Sequence, residues 1–399
     1  MRRPWSYLLV AALVLAGIGV ASAAPIGRPA FRRVWERTDL PVQRGVANHS
    51  WVWGPEPFTD VLNEVFAEGQ GGKREVQYFD KSRMEINDPT ADPNAQWYVT
   101  NGLLVNELIR GQVQVGYNAF VALDPANIPI AGDPDNTFPT YASLIRIYNT
   151  PIPRQMGDHV TSVFLPEGAG EFPHYAASPA TEIVRVEAGF GIPRAFWEYM
   201  NQRGTIYRNG SFVRNQLLFD WLFVLGYPTT EAFWTRVRVG GAEKDVMFQA
   251  FERRVLTYVP GNPPAFRVEM GNVGRHYYQW RYSDPFAGGK QAVITAPRRG
   301  PAPPEVRSPL PVQGFENGSA FEAAISVRLK NKPTGAVLAV AHTTVQRPDI
   351  GIPGPFSAVL EFAPPPGDTP GTLEVFITSP RDGSEIVLDS FDVVVKGAG

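Results

Sequence analysis

The sequence predicts a mainly β protein with some α-helix, in which a β-rich N-terminal region containing a duplicated hairpin unit precedes a C-terminal immunoglobulin-like β-sandwich. The 38 glycines and 38 prolines among 399 residues indicate a chain rich in turns. Downstream of about residue 290, short β-prone runs alternate with turn signals. The aromatic composition also changes there, because Trp280 is the last tryptophan and Tyr282 the last tyrosine. Two hydrophobic cores of different composition are the simplest interpretation.

The composition excludes several classes of function. The 37 basic and 39 acidic side chains leave no excess of positive charge of the kind that nucleic-acid binding requires. The absence of cysteine excludes a disulfide scaffold, thiolate catalysis and cysteine-ligated zinc or iron–sulfur sites. The chain is long enough for two or three domains.

Residues 1–23 have the pattern of a cleaved signal peptide. Arg2 and Arg3 precede an apolar run, Leu8–Val20, and small residues suited to signal peptidase end at Ala23. A helix of this run would span only about 20 Å, short of the ~30 Å hydrocarbon core of a membrane. We therefore expect a secreted or cell-surface associated protein with no membrane span after cleavage near Ala23. The mature chain would carry 35 basic and 39 acidic side chains.

The mature chain begins with an aromatic-rich α+β region, residues 24–285. This region contains an internal repeat. Segments near 51–104 and 223–273 align at a constant offset, with a three-residue slip towards their ends. The matched pairs include Gly54 with Gly226, Gln77 with Gln249, Phe79 with Phe251, and Gly102 with Gly271. Each copy predicts a glycine turn, a short amphipathic segment and a β-hairpin, with strands at 76–79 and 84–86 in the first copy and 247–251 and 255–258 in the second.

The repeat units carry two resemblances. The segment Gly226–Phe233 with its downstream aromatic hairpin resembles the LGFP repeat of actinobacterial cell-wall proteins. The segment that begins Val76-Gln-Tyr-Phe resembles repeats in uncharacterised secreted proteins of Chloroflexi-type bacteria. Neither resemblance implies a catalytic residue.

Three segments between the copies carry secondary-structure signals. Residues 140–148 are compatible with a helix or a strand. Residues 192–203 predict a helix, because Pro193 suits a helix start and Gly204 lies just past its end. The largely apolar run 212–225 predicts a buried helix that is too short to cross a membrane.

Residues 286–309 are predicted to be a linker and the first strand of the sandwich, which continues over residues 310–396. Turn signals separate seven β-prone runs, and about seven strands in some 105 residues is typical of an immunoglobulin-like sandwich. The predicted strands are 292–295, 310–315, 323–329, 337–343, 356–362, 372–378 and 386–395.

The motifs of this region resemble the Gmad2 domain, an immunoglobulin-like domain of bacterial sporulation and germination proteins. They are Val293–Pro297, Ser308–Gly314, Gly354–Ser357 and Gly371–Phe376, followed by Asp382–Ile386. The resemblance implies an accessory, non-catalytic module of secreted or cell-envelope proteins. Nothing in the sequence resembles the GerM domain that often accompanies it, so support for a germination role is weak.

No motif predicts an enzyme, a cofactor or a metal site. Asp158 with His159 and a remote serine would make an unusual triad, since adjacent residues rarely reach each other. The acids of the turn 132–136 have oxygens that suit calcium, but a solvated turn is the preferred interpretation. The pairs Glu64/Glu68 and Glu182/Glu187 have the residue type of a glycosidase pair, although solvated faces are the simpler interpretation.

The candidate ligand-binding residues are therefore aromatic. Trp and Tyr combine a flat apolar face, on which a sugar ring can stack, with a polar edge that forms hydrogen bonds. The candidates are Trp51, Trp53, Tyr78, Trp97, Trp234, Tyr277 and Trp280. For any one of them, a place in the core of a disulfide-free domain remains the alternative.

Taken together, these features predict a secreted, non-enzymatic cell-envelope protein. Its expected partner is cell-wall or extracellular glycan, or another envelope protein. A protein-assembly or adhesion module, or a divergent carbohydrate-active hydrolase, remains an alternative.

Overall fold

The protein is described by a computed structural model that covers residues 24–282, 291–299, 302–316, 320, 323–346, 354–379 and 383–398. The predicted signal peptide, residues 1–23, lies outside the described residues, and so does part of the predicted linker. Strands account for 40% of the structure and helices for 17%, which confirms the mainly β fold. In the described part of the chain, no helix has both the length and the apolar character needed to cross a bilayer.

The first repeat segment forms a four-stranded antiparallel sheet followed by a helix. A helix that the sequence analysis did not predict, α1, precedes it. The elements are α1 (Pro29–Gln43), β1 (Leu62–Val65), β2 (Lys73–Phe79), β3 (Ser82–Ile86), β4 (Thr100–Asn101) and α2 (Leu104–Arg110). The strands pair in the order β1-β2-β3-β4.

The middle of the chain consists of small hairpins and short helices. Its elements are β5 (Gln112–Gln114), β6 (Phe120–Ala122), α3 (Tyr141–Leu144), β7 (Ser162–Leu165), β8 (Gly168–Glu171), β9 (Ile183–Glu187), β10 (Phe190–Pro193), α4 (Arg194–Met200), β11 (Arg203–Arg208), β12 (Ser211–Leu217) and α5 (Trp221–Val224). The segment 140–148, left open between helix and strand, contains α3, and the helix expected at 192–203 is α4.

The prediction of a buried helix over 212–225 is wrong. The first part of this run belongs to the exposed strand β12, and only α5 near its end is helical. The cause is the turn between β11 and β12, where Asn209 and Gly210 have φ values of 51° and 80°. Asn-Gly with both φ values positive is the preferred two-residue hairpin turn, and it commits the following residues to a strand.

The second repeat segment has the same series of elements as the first. It contains β13 (Phe233–Val239), β14 (Ala242–Ala250), β15 (Val255–Tyr258), β16 (Val268–Met270) and α6 (Val273–Tyr282). These strands pair in the order β16-β15-β14-β13, and β7 and β8 extend the sheet beyond β13.

Hydrogen bonds recur at equivalent positions of the two segments, or one residue away from them. Lys81 N donates to Trp53 O at 2.9 Å, and Arg253 N, at the aligned position, donates to Leu225 O, also at 2.9 Å. Buried Gln77 donates through Nε2 to the carbonyl of Thr59, and Gln249, which aligns with it, donates to that of Thr230. The two segments thus share these backbone and side-chain contacts, and the duplication itself stays a prediction from the sequence.

The two segments pack on each other reciprocally. Lys81 Nζ donates to Met270 O at 2.8 Å, and Arg253 Nε donates to Asn101 O at 3.0 Å. Helix α6 contacts β2 and β3 of the first segment, where Gly274 allows close approach: a Cβ there would lie 1.9 Å from Phe79 O. Leu108 of α2 lies in one core cluster with residues of the second sheet.

The C-terminal part is a sandwich of a three-stranded and a five-stranded sheet. Its elements are β17 (Ala292–Ala296), β18 (Glu305–Val306), β19 (Leu310–Glu316), β20 (Ala324–Asn331), β21 (Val337–Thr344), β22 (Gly354–Leu360), β23 (Thr369–Thr378) and β24 (Glu385–Val395). The strand orders are β17-β19-β22 and β18-β24-β23-β20-β21. All seven strands predicted here are present, and the short strand β18 is additional.

Candidate functional site

An aromatic groove lies between α1, the loop from β3 to β4 and the segment around α5. It encloses about 360 Å³. Its lining includes Trp53, Tyr98, Phe219 and Phe223, with the aliphatic side chains of Val34 and Val224. Grooves of this size with apolar walls and a few polar groups are typical of small-ligand sites.

Two arginines of α1 hold the walls of the groove. Arg33 Nη2 donates to Pro93 O at 2.7 Å and so fixes the loop between β3 and β4. Arg37 Nη2 donates to Leu217 O at 2.9 Å, and its Nε donates to Leu218 O at 3.1 Å, at the end of β12. These hydrogen bonds connect α1 to the loop between β3 and β4 and to the end of β12, and so fix the positions of the walls of the groove.

The floor of the groove depends on Asp39, a fully buried residue of α1. Its carboxylate accepts from the backbone N–H groups of Val52, Trp53 and Gly54 at 3.0, 2.6 and 3.1 Å. Burial raises the pKa of Asp39 to about 6, although the three donors oppose this effect. The bonds fix the backbone of the turn that places the Trp53 ring under the groove, 6.3 Å from the ring of Phe223.

Trp97 lies beside the groove, between the lining residues Gln96 and Tyr98. Its side chain is 49% exposed, and its ring centroid lies 5.9 Å from that of Phe223. The loop that carries it is ordered by two tight turns, in which Asp88 accepts from Thr90 N and Asp92 accepts from Asn94 N, each at 2.9 Å. The exposed indole therefore lies beside the half-buried ring of Phe223, on a loop that local hydrogen bonds hold in place.

The structure separates the seven predicted binding residues. Trp53 lines the groove, and Trp97 lies next to two lining residues, Gln96 and Tyr98. Trp51 is half-buried at the start of the turn that carries Trp53. Trp280 is partly buried and donates to Asp124 O at 2.8 Å. The remaining three are fully buried and pack in the core, where no ligand could stack on them: Tyr78, Trp234 and Tyr277.

Sequence reasoning missed the aromatic residues that complete the groove. Phe219 and Phe223 lie in the run that was expected to be a buried helix, and Tyr98 follows Trp97. The available signal was the repeat itself, because Phe223 aligns with Trp51 and both residues open a glycine turn.

A buried ionic cluster lies between the first sheet and helix α6. Glu64 Oε2 lies 3.0 Å from Arg281 Nη1, 3.1 Å from Arg83 Nη1 and 3.5 Å from Arg74 Nη2. The other oxygen of Glu64 accepts from the hydroxyl groups of Tyr78 at 2.6 Å and Tyr282 at 2.9 Å. Glu64 is thus buried and paired, which corrects the interpretation of this residue as part of a solvated face.

The carboxylates of this cluster have pKa values shifted in opposite directions. Burial alone would raise the pKa of Glu64, but Arg281, Arg83 and Arg74 lower it to about 2. Burial raises the pKa of Glu107, against the opposing effect of Arg83 and Arg74. Opposed shifts are typical of acid–base pairs in active sites. Here, however, the two side chains are only 1% and 3% exposed, which favours a structural role.

The other acidic candidates have local structural partners. Asp133, in the turn considered for calcium, accepts from Gly240 N and Gly241 N, each at 2.8 Å, and so caps the hairpin turn between β13 and β14. Glu182 and Glu187 pair with Arg194 and Arg185. In the described residues, no group of three or more metal-ligating side chains could hold a metal ion.

The C-terminal sandwich has the two-sheet architecture of an immunoglobulin-like domain. Residues 291–384 match the Gmad2 family, the immunoglobulin-like domain of bacterial spore germination. This match confirms that the C-terminal region resembles the Gmad2 domain, and it covers about a quarter of the chain. It indicates an envelope- or germination-related module. No curated protein and no solved structure matches the chain.

The Gmad2 domain packs against the N-terminal region. Ser357 Oγ in β22 donates to Asn63 O in β1 at 3.2 Å, and Arg298 forms an ion pair with Asp124. Trp280 and Arg298 line a cavity of about 440 Å³ at this junction. Trp280, predicted as a ligand-binding residue, therefore lies beside the domain junction.

Proposed function

We propose that this is a secreted, non-enzymatic cell-envelope protein whose N-terminal region binds glycan in the aromatic groove. The observation that carries the proposal is the exposed Trp97 ring, 5.9 Å from the ring of Phe223, beside a groove that Phe223 and Trp53 line. A sugar ring offers C–H groups on its face and hydroxyl groups at its edge, so an exposed indole at a groove is a suitable stacking surface. The signal-peptide pattern and the envelope-related Gmad2 domain support the location.

The distribution of carboxylates supports a non-enzymatic role. A glycosidase places two carboxyl groups on either side of a bond in its substrate, and the substrate must reach them. The acids with opposed pKa shifts, Glu64 and Glu107, are instead buried among arginines and tyrosines. The groove contains Asp220, whose carboxylate caps α5 by accepting from Leu222 N at 2.9 Å.

The test is retention of the purified mature chain on cell walls of the source organism. Replacing Trp97 by alanine is expected to weaken binding about tenfold, because a lost stacking contact of about 1.4 kcal/mol corresponds to that factor. Phe212→Ala is the matched control, since Phe212 is 43% exposed on β12 and neither it nor an adjacent residue lines the groove. No retention of the wild-type chain above an unrelated protein, or equal retention of the Trp97 variant, would contradict the proposal.

A protein-assembly role is the second candidate, and the surface of the Gmad2 domain favours it. Strand β21 is at the edge of its sheet, and Val337 and Val340 on it are 53% and 50% exposed. An edge strand with exposed apolar side chains is a template for pairing with another chain. Self-association in sedimentation experiments, lost in a Val340→Lys variant, would support this role.

A further inference from the structure

A basic surface adjoins the aromatic groove. It is formed by α1 and by the hairpin of β11 and β12, and α1 packs on β11. The two elements carry six arginines and only two acids, Glu36 and the buried Asp39. The arginines are Arg32, Arg33, Arg37, Arg203, Arg208 and Arg214. Since the whole chain has 39 acidic and 37 basic side chains, this concentration of positive charge is a local feature.

The six arginines have no acidic partner. In the described part of the chain, no carboxylate lies within 4.0 Å of a nitrogen atom of these guanidinium groups. The carboxylate of Asp39 is buried and accepts from three backbone N–H groups. The acids at the edge of the surface, Asp92 and Asp220, each accept a backbone N–H group of their own turn. Even if Glu36 is counted with them, six positive charges face three carboxylates that are not buried.

The arginines lie close to one another. Arg33 and Arg37 are one helical turn apart on α1, so their Cβ atoms are about 6 Å apart. Arg37 Nη2 donates to Leu217 O at 2.9 Å, and Leu217 pairs with Arg203 across the hairpin. Burial lowers the pKa of Arg37, and the nearby charge of Arg208 lowers it further. Positive charges that are held together without carboxylates attract an anionic partner.

A ligand can reach these guanidinium groups. Arg33 and Arg37 line the aromatic groove, where Asp220 is the one other charged residue among the described lining residues. Arg37 Nη1 forms no hydrogen bond with the described residues and is not buried. Arg208 and Arg214 are exposed. A ligand in the groove can therefore contact Arg37, and a longer ligand can continue onto the hairpin.

We propose that the ligand of the aromatic groove is an acidic polysaccharide, whose carboxylate groups pair with Arg37 and with the arginines of the hairpin. This inference rests on the proposed function, because it concerns the same groove. A sugar acid combines a ring, which can stack beside Trp97, with a carboxylate, which a guanidinium group binds through two parallel hydrogen bonds. A polymer repeats both groups along its length, as the basic surface extends from the groove along the hairpin.

The experiment compares two forms of one ligand, a short oligomer of galacturonic acid and its fully methyl-esterified form. The two forms share their rings and linkages and differ in charge. Calorimetry with the full mature chain at about 0.1 M salt is expected to show about tenfold tighter binding of the acid form. The difference should shrink at about 1 M salt, where the screening length falls to about 3 Å.

Charge variants locate the contact. The double substitution Arg208→Gln with Arg214→Gln is expected to weaken binding of the acid form about tenfold and to leave the ester unchanged. Neither side chain forms an ion pair with the described residues, so the fold should not depend on them. The matched control is Arg307→Gln, which removes an exposed positive charge from the Gmad2 domain. Phe212→Ala keeps every charge and should change neither affinity.

Trp97→Ala separates this inference from the proposed function. It should weaken both forms alike, because stacking on the ring does not depend on charge; if it changes neither, both proposals fail. The inference alone is overturned if the ester binds as tightly as the acid, or if the double variant binds the acid as tightly as the wild type. Tighter binding of linear polyphosphate than of the oligomer would also contradict it, since the recognised group would then not be a sugar acid.

Discussion

Replacing Glu64 by alanine is expected to destabilise the N-terminal region more than any other single change considered. The substitution leaves Arg74, Arg83 and Arg281 buried without the carboxylate that they share. Removal of one partner from a buried ion pair costs about 3–5 kcal/mol, because the remaining charge has lost its compensation. Here three guanidinium groups and the hydroxyl groups of two tyrosines are affected, so the upper end of this range applies.

Urea denaturation followed by tryptophan fluorescence measures this effect. The matched control is Glu187→Ala, which removes a more exposed ion pair with Arg185 and should cost less than about 1 kcal/mol. If the Glu64 variant unfolds at the same urea concentration as the Glu187 variant, the cluster does not stabilise the fold as argued.

The same residue gives the protein a predictable acid sensitivity. The pKa of Glu64 is lowered from its ordinary value of 4.5 to about 2 in the folded protein. A lowered pKa stabilises the fold fully above about pH 4.5, and this contribution is lost as the pH falls towards 2. By linkage it amounts to roughly 3 kcal/mol. A Glu64→Gln variant should therefore lack this component of the stability loss between pH 4.5 and pH 2.

Asp39→Ala is expected to have the second largest effect. It removes the acceptor for the N–H groups of Val52, Trp53 and Gly54, all of which are buried. An orphaned buried donor costs about 1–3 kcal/mol, so the loss of all three bonds should lower the free energy of unfolding by at least about 3 kcal/mol. Asp39→Asn should cost less, because its amide oxygen still accepts.

Chemical denaturation again provides the measurement, with Asp220→Ala as the control. Asp220 caps the short helix α5 at an exposed position, and loss of such a cap costs about 1 kcal/mol. The fluorescence of Trp53 should also change in the Asp39 variant, since the turn that carries its ring loses its anchor. A variant with unchanged stability would show that the turn holds its shape without Asp39.

The sequence was most informative where a local pattern determines the structure. The strands of the Gmad2 domain were predicted because alternation of apolar residues and turn signals act over a few residues. The match between Gln77 and Gln249 reflects buried side chains that bond to backbone carbonyls in a similar way in both segments.

Long-range packing accounts for what the sequence did not show. Glu64 had the pattern of a surface residue, and its burial depends on Arg281, 217 residues further along the chain. Tyr277 and Trp97 are both aromatic residues near the repeat units, yet Tyr277 is buried where α6 packs and Trp97 is 49% exposed. The composition of a segment cannot distinguish these outcomes, since burial depends on elements that are distant in sequence.

The reciprocal packing of the two repeat segments has a consequence for the order of folding. Lys81 finds its acceptor 189 residues later, and Arg253 reaches back 152 residues to Asn101. Contacts of such separation cannot form until most of the chain is present, and they slow folding because long loops must close. We therefore expect the first segment to remain incomplete until α6 is made, and the N-terminal region to gain its full stability late in folding.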